Sequence, residues 1–274
     1  MKAIWDLLRL EHGFMYGLAV IVGMVVSSEN LNLSKATFGF LTALFSQASA
    51  FAFNDYVDYE VDLKNRRLDR PLVRGDLRRE FALIIAIALA PFGLLFAYLI
   101  SIQALIFVLI VAILGYIYNV KLKEFGLLGN AYIAFTMCAP FLFGGLITNG
   151  INVQIVTLSL LAFLSGLGRE VMKGIEDVEG DALRNVRSVA RLNVKFAYRL
   201  SAFLILLAVS LSFLPILHYG LDPFYIVPVF FADTVFMKTV KDLLRFERNI
   251  SKLRRFTLLA IGFGLTGFLL GAIC

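Results

Sequence analysis

Two clusters of carboxylates lie where long apolar stretches of the chain give way to basic ones. One cluster occupies positions 54–62 and the other positions 177–181. Acids spaced i, i+3 and i+7 share one helix face, where they repel one another unless a cation neutralises them. Mg²⁺ takes oxygen ligands, usually one or two carboxylates together with phosphate oxygens and water. Asp55, Asp58 and Asp62 have this spacing, so the clusters predict a magnesium site for a phosphate-bearing substrate.

The second cluster extends upstream on the same predicted helix face. Glu170, Lys173, Asp177 and Asp181 follow one another at i, i+3, i+7 and i+11. No histidine or cysteine cluster accompanies the acids, which argues against zinc. A phosphate-bearing substrate also needs positive side chains beyond its metals. The cations beside the clusters are Arg66, Arg70, Lys121, Lys123, Lys173 and Arg184, of which we expect about half to contact the substrate and the others only to set membrane topology.

The composition places these clusters in a membrane protein. Of 274 residues, 59% are hydrophobic, and the mean hydropathy is +0.82. Soluble domains are closer to 45–50% apolar. The net charge is +6, but the basic residues follow the membrane segments and do not form one patch, so we expect no nucleic-acid partner. The sequence leaves the oligomeric state open.

Nine apolar segments are long enough to cross a bilayer core of about 30 Å as helices. Nine crossings place 25 of the 26 Lys and Arg residues on one side, with Lys35 alone on the other. By the positive-inside rule the crowded side is cytoplasmic. We predict an all-α, multi-pass cell-membrane protein of one domain over residues 1–274, with a cytoplasmic amino terminus and motif loops and an outer carboxyl terminus. The predicted segments are 12–28, 36–54, 81–100, 102–118, 127–148, 151–168, 198–217, 222–238 and 256–274.

Three motifs in this order resemble those of a known family. The first is Asn54-Asp55-x-x-Asp58-x-x-x-Asp62, followed by Asn65-Arg66 and Arg70-Pro71. The second is Tyr-Asn-Val-Lys-Leu-Lys over 118–123, and the third is Asp177-x-x-x-Asp181. Together with nine helices, they resemble the UbiA superfamily of intramembrane prenyltransferases over the whole chain.

The resemblance implies a helical bundle with a cytoplasmic cap and Mg²⁺-dependent transfer of a prenyl group from its diphosphate to an acceptor. It implies that Asp55, Asp58 and Asp62 bind one Mg²⁺ and that Asp177 and Asp181 bind a second. Tyr118 would steady an allylic cation or bind diphosphate, and Lys173 would assist catalysis. The residues expected to bind the substrates are Asn54, Asn65, Arg66, Arg70, Lys121, Lys123, Glu170 and Arg184.

The residues around the second motif indicate the branch of the family. Arg169-Glu170-Val-Met-Lys173 followed by Glu176-Asp177-Val-Glu-Gly-Asp181 looks like the archaeal branch. That branch joins a geranylgeranyl group to geranylgeranylglyceryl phosphate, which is a step in making membrane ether lipids. An aromatic or other acceptor, as in quinone or chlorophyll synthesis, is the alternative within the family. A cation transporter is the alternative of a different class, although transporter sites usually lie near the bilayer midplane.

Further polar residues have open roles. Asp233 lies inside an apolar segment, where it could be functional or could pair with Lys238 or another helix. Arg9, Glu11 and His12 cluster at the start of the first helix, and the sequence leaves open whether they contact the substrate. Glu170 and Glu176 are both candidates for the general base. The glycines at 144, 145, 262, 264 and 267 are expected to permit close helix packing.

Overall fold

The computed structural model describes residues 2–28, 31–176, 178, 187–219 and 222–273, and every regular element within these ranges is a helix. Nine of the described helices are long and apolar enough to cross a membrane. They are α1 (Leu10–Ser27), α2 (Leu33–Lys64), α3 (Arg79–Ile100), α4 (Ile102–Val120), α5 (Leu127–Ile147), α6 (Val153–Glu176), α7 (Val194–Leu211), α8 (Pro223–Leu244) and α9 (Ile250–Ile273). The predictions of an all-α fold and a multi-pass membrane protein are confirmed.

Short helices connect the long ones. Lys2–Leu8 precedes α1, Pro71–Arg74 lies between α2 and α3, and a 3₁₀ turn over Leu122–Phe125 joins α4 to α5. Val189–Leu192 precedes α7, and Ile216–Tyr219 lies between α7 and α8. The long helices pack in a closed bundle, because neighbours in the chain contact one another and α9 returns to contact both α1 and α6.

The helices that carry the acidic motifs extend further than hydropathy predicted. α2 continues to Lys64 instead of ending near 54, and α6 continues to Glu176 instead of ending near 168. With 32 residues α2 is about 48 Å long, which exceeds the thickness of the hydrocarbon core. The apolar signal stops where the helix meets the interface, but the helix itself continues because its acids are buried on one face. The first motif therefore lies on the last turns of a helix and not in a loop.

Asp233 of α8 forms a polar contact within the bundle, away from the acidic motif. Its Oδ2 accepts a hydrogen bond of 2.7 Å from the hydroxyl of Ser212, directly after α7. The hydroxyl of the buried Tyr225 donates to the Ser212 carbonyl oxygen at 2.6 Å. Lys238 instead lies over the ring of Phe256 at 4.6 Å. Of the two pairings that the sequence left open for Asp233, the one with another part of the bundle is correct.

A tight crossing joins α1 and α5 near their carboxyl-terminal ends. A Cβ atom on Gly144 would lie 2.3 Å from the carbonyl oxygen of Val20 and 2.7 Å from the amide nitrogen of Met24. The prediction that glycines permit close packing is confirmed at Gly144 and is wrong at Gly262, where a Cβ would meet nothing within 4 Å. The difference is that Gly144 faces the backbone of α1, whereas Gly262 faces open space.

We expect Gly144→Ala to destabilise the protein by about 2 kcal/mol, because the added methyl group must push two helix backbones apart. The matched control is Gly262→Ala, which makes the same chemical change on an open helix face. Thermal unfolding of both purified variants in detergent checks this, with a lower Tm for Gly144→Ala alone. Equal melting temperatures for the two variants would contradict the close crossing.

Candidate active site

The last turns of α2 bury three carboxylates on one face of the helix. Asp55, Asp58 and Asp62 are 2%, 7% and 3% exposed, whereas Glu60 between them points to the surface with a 62% exposed side chain. The helical period accounts for this contrast, since i, i+3 and i+7 lie together and i+5 lies opposite Asp55. Burying three acids in a mostly apolar bundle requires positive or metal partners. The predicted one-sided arrangement of the first motif is confirmed in the geometry.

Cationic side chains from three separate segments meet these acids. Arg9, just before α1, donates to Oδ1 of Asp55. Arg70 lies 3.3 Å from Oδ1 of Asp55 and 3.7 Å from Oδ2 of Asp62. Lys123, in the turn between α4 and α5, forms an ion pair with Asp58. The acidic face is thus lined by guanidinium and ammonium groups that could instead hold phosphate oxygens.

Arg9 was not among the substrate-binding residues predicted from the sequence. Its φ angle of 44° is left-handed, which breaks the helix between Leu8 and Leu10. A residue with a side chain held there stores local strain of roughly 1–3 kcal/mol. The guanidinium packs over the ring of Phe51 at 4.2 Å and reaches Asp55 from there. The only signal in the sequence was the charged cluster at the start of the first helix.

A pair of amides supports the same acidic face. The side-chain amide of Asn54 donates to Oδ2 of Asp58 at 3.1 Å and to Oδ1 of Asn119 at 2.7 Å. Asn119 is buried near the end of α4 and donates in turn to the carbonyl oxygen of Gly115 at 2.9 Å. Sequence reasoning missed Asn119, although it stands inside the motif at 118–123 that was singled out. It joins α4 to α2 beside Asp58.

Two further predicted cations, Lys121 and Arg66, lie at the surface. Lys121 is exposed and lies 3.4 Å from Glu124, while Arg66 is exposed with a left-handed φ of 51°, two residues after the end of α2. Their neighbours in the basic loop are engaged at the surface. These surface pairs are Arg67 with Asp69, Arg74 with Asp6 and Asp76, and Arg79 with Glu60. Arg67 also holds the pKa of Asp69 below its ordinary value through its hydrogen bonds.

Tyr118 lies half-buried beside Asn119, and its ring stacks on that of Tyr132 at 5.0 Å. Across the bundle, Glu170 is 8% exposed on α6, and Lys173 lies 3.8 Å from it one turn later. The predicted shared face of these two residues is therefore observed. Asp177, Asp181 and Arg184 lie outside the described residues.

The described acids suit a metal that is shared with a substrate. Within the described residues no three His, Cys, Asp or Glu side chains form a ready metal cage. However, Oδ2 of Asp55 is buried and finds no hydrogen-bond partner among those same residues. A buried carboxylate oxygen without a donor is costly. An ion that takes one or two carboxylates and completes its shell with phosphate oxygens, as Mg²⁺ does, fits this arrangement.

The amide pair gives a test of the site's architecture. Asn119→Ala should destabilise the protein by about 1–2 kcal/mol, because it leaves the partly buried Asn54 amide short of an acceptor. A double-mutant cycle with Asn54→Ala, followed by chemical unfolding, should give a coupling energy above about 0.5 kcal/mol. Strict additivity of the two substitutions would show that the amides do not support one another.

The known proteins that resemble this chain agree with one another in family and in name. The sequence profile of the UbiA prenyltransferase family matches residues 17–271. The chain is 54% identical to the digeranylgeranylglyceryl phosphate synthase of Archaeoglobus fulgidus, over 99% of this chain and 96% of the relative. It is 31% identical to the enzyme of the same name from Pyrococcus furiosus, over 100% of this chain and 98% of that one.

Solved structures resemble the whole bundle. One, from work on digeranylgeranylglyceryl phosphate synthase in membranes, superposes with a TM-score of 0.82 at 31% identity, covering 99% of this chain and 98% of that one. Another is a UbiA homolog from Archaeoglobus fulgidus bound to DMAPP and Mg²⁺, with a TM-score of 0.70 at 18% identity and coverage of 97% and 99%. At that lower identity the likeness concerns the fold.

Proposed function

The chain belongs to the UbiA prenyltransferase family, and we propose that it transfers a geranylgeranyl group from its diphosphate to geranylgeranylglyceryl phosphate. The product is an ether, and the reaction belongs to the synthesis of archaeal membrane lipids. The observation that carries this function is the buried acidic face of α2, where three carboxylates meet three cations. The full-length similarity to digeranylgeranylglyceryl phosphate synthases supports the choice of donor and acceptor.

We propose Mg²⁺ as the cofactor, in agreement with the related structure that holds DMAPP and Mg²⁺. Asp55, Asp58 and Asp62 would hold one ion, and Asp177 and Asp181 a second. When bound, Mg²⁺ draws negative charge from the diphosphate and makes it a better leaving group.

The chain's own cations would change partners when the substrate binds. Arg9, Arg70 and Lys123 neutralise the acidic face in the structure described above. Once metal neutralises those carboxylates, the same donors can turn to the diphosphate oxygens. In the transfer the C1–O bond of the allylic diphosphate breaks, diphosphate leaves, and the acceptor hydroxyl oxygen bonds to C1 and loses its proton. Hydrogen-bond donors that are already positioned at the leaving group lower the barrier to C1–O cleavage most effectively.

The acceptor's proton needs a base inside the bundle. Of the two candidates, Glu176 is engaged at the end of α6, where Arg254 lies 2.8 Å from its Oε2. Glu170 is buried further in, with Arg169 3.5 Å and Lys173 3.8 Å away. We therefore propose Glu170 as the base and Lys173 as its positioning partner. Tyr118 would place its ring near the developing allylic cation, and the dry bundle would keep water from capturing that cation.

The remaining expectations follow as proposals. We propose one prenyltransferase domain over 1–274, which the family match over 17–271 supports. The amino terminus and the acidic motifs would face the cytoplasm and the carboxyl terminus the outside, as the distribution of Lys and Arg indicates. Asn65, Arg66, Lys121 and Arg184 stay candidate substrate contacts, although Arg66 and Lys121 lie exposed without substrate.

Removing one acid from the face should abolish transfer while the protein still folds. We expect Asp55→Ala to lower the transfer rate by at least about a hundredfold, because it removes a metal ligand and unbalances two arginines. Asp177→Ala should have the same effect. Glu60→Gln is the matched control, since it removes an acid from the exposed side of the same helix. The measurement is ether formation from labelled geranylgeranyl diphosphate, and normal turnover by either Asp variant would defeat the proposed site.

Removal of metal separates an enzyme from a transporter. Activity should disappear with a chelator and return with added Mg²⁺, using geranylgeranylglyceryl phosphate and 4-hydroxybenzoate as competing acceptors. Metal-dependent ether product from the glyceryl phosphate supports the proposed reaction. Product only from the aromatic acceptor would keep the family and reject the acceptor, and transfer that persists without metal would reject the mechanism.

A further inference from the structure

Arg169 of α6 is a buried cation with an incomplete set of partners. It lies seven residues before the end of α6, about 10 Å along the helix axis. Its side chain is 14% exposed, and one terminal nitrogen lies 3.5 Å from Oε1 of Glu170. Within the part of the chain that the structure describes, its buried Nε atom has no hydrogen-bond partner. A buried guanidinium donor without an acceptor is costly, so an anion at this position would be stabilising.

A second arginine with the same deficiency approaches from α9. The terminal nitrogen of Arg254 donates to Oε2 of Glu176 at 2.8 Å, and its Nε is also buried without a partner among the described residues. Arg169 and Glu176 lie seven residues apart on one face of α6, and α9 contacts α6, so Arg254 approaches the α6 face that carries Arg169. Two arginines on one face repel one another unless anions lie near them. Two guanidinium groups from facing helices are suited to the oxygens of a phosphate group.

Helix α1 contacts both helices of the arginine pair and also α2, which carries the acidic face. Near the start of α1, the imidazole of His12 meets the ring of Phe51 edge-on at 5.5 Å, and Arg9 packs on the same ring and binds Asp55. The Arg169 side chain is 14% exposed, so Arg169 lies within the bundle and not on a remote surface.

The acceptor proposed above has one chemical requirement that the acidic face does not meet. Its phosphate monoester is an anion on the same glycerol unit as the attacking hydroxyl, so it must be held within a few bonds of the reacting oxygen. Arg70 and Lys123 already form ion pairs with the carboxylates that would hold the Mg²⁺ of the diphosphate. Arg169 is adjacent to Glu170, the proposed base, and has an unused buried donor.

We propose that Arg169 and Arg254, with His12 at the edge of the site, bind the phosphate group of the acceptor lipid. The inference rests on the proposed function and identifies the part of the site that recognises the acceptor. Glu170 and Glu176 balance the two arginines when no acceptor is bound, and the phosphate adds acceptors for the unused Nε donors. The chain thereby separates the donor's diphosphate, on α2, from the acceptor's phosphate, between α1, α6 and α9.

The first test is Arg169→Gln, which removes the charge and keeps much of the side-chain volume. The KM for geranylgeranylglyceryl phosphate should rise about tenfold to a hundredfold, in line with the loss of one charge-assisted hydrogen bond. The KM for geranylgeranyl diphosphate should stay within about twofold of the native value. Arg254→Gln should change the same constant in the same direction. Equal rises in both KM values would show that the arginines do not favour the acceptor, and a rise for the donor alone would assign them to the diphosphate; either result would overturn the proposal.

Three controls separate phosphate recognition from a structural role. Arg255→Gln removes a positive charge from the neighbouring exposed position of α9 and should leave both KM values unchanged. Arg169→Lys restores the charge and should recover part of the loss. Geranylgeranylglycerol, which lacks the phosphate, should be a poor substrate for native protein and no worse for Arg169→Gln. If Arg169→Gln impairs transfer to this phosphate-free acceptor just as strongly, the arginine is structural and the proposal fails.

Binding measured without donor distinguishes this inference from the proposed function. Radiolabelled geranylgeranylglyceryl phosphate should bind native protein in neutral-lipid nanodiscs, and Arg169→Gln should weaken that binding at least about tenfold. Binding that depends on Arg169 without ether formation would reject the proposed reaction and keep the phosphate site. Ether formation with binding that is independent of Arg169 would do the reverse. If native protein binds phosphatidic acid and Arg169→Gln does not, while both bind the acceptor equally well, the site belongs to membrane phospholipid and the proposal is overturned.

Discussion

The burial of three carboxylates on one face of α2 is the constraint on which the rest of this structure depends. Charged groups are costly inside a membrane protein unless they are paired. Asp55, Asp58 and Asp62 therefore impose positions on cations from other segments, and the elements that carry those cations must reach the end of α2. The left-handed turn at Arg9 and the 3₁₀ turn that carries Lys123 bring these cations to the acids. When metal and diphosphate bind, the metal can replace the cations at the carboxylates, and the cations can then bind the diphosphate.

The bundle separates two kinds of packing. Where α1 crosses α5, Gly144 lets the helix backbones approach so closely that no side chain fits between them. At the end of the bundle that carries the acidic motif the contacts are ionic and amide pairs, which can exchange partners without moving the helices. A close-packed end and an exchangeable polar end suit an enzyme that must bind two charged lipids and protect a reactive cation from water.

Much of this arrangement could be predicted from the sequence. Nine helices and the face shared by Asp55, Asp58 and Asp62 depend on hydropathy and the helical period, which are local properties. The ends of α2 and α6 were predicted about ten and eight residues too early, because a hydropathy pattern ends at the interface whereas backbone hydrogen bonding continues. Asn119 and Arg9 were missed as members of the site for a different reason. Their types are common in surface loops, and nothing local distinguishes a buried amide or arginine from an exposed one.

The sequence by itself determined which residues could do the chemistry and on which helix face they lie. Only the tertiary structure decided which cation meets which acid. Arg9 and Asp55 are 46 positions apart, and Lys123 and Asp58 are 65 apart. It selected Arg70 and Lys123 over Arg66 and Lys121, and it brought Arg254 of α9 to Glu176 of α6. The physical reason is that charge pairing acts over a few ångströms in space, and those distances are set by helix packing and not by spacing along the chain.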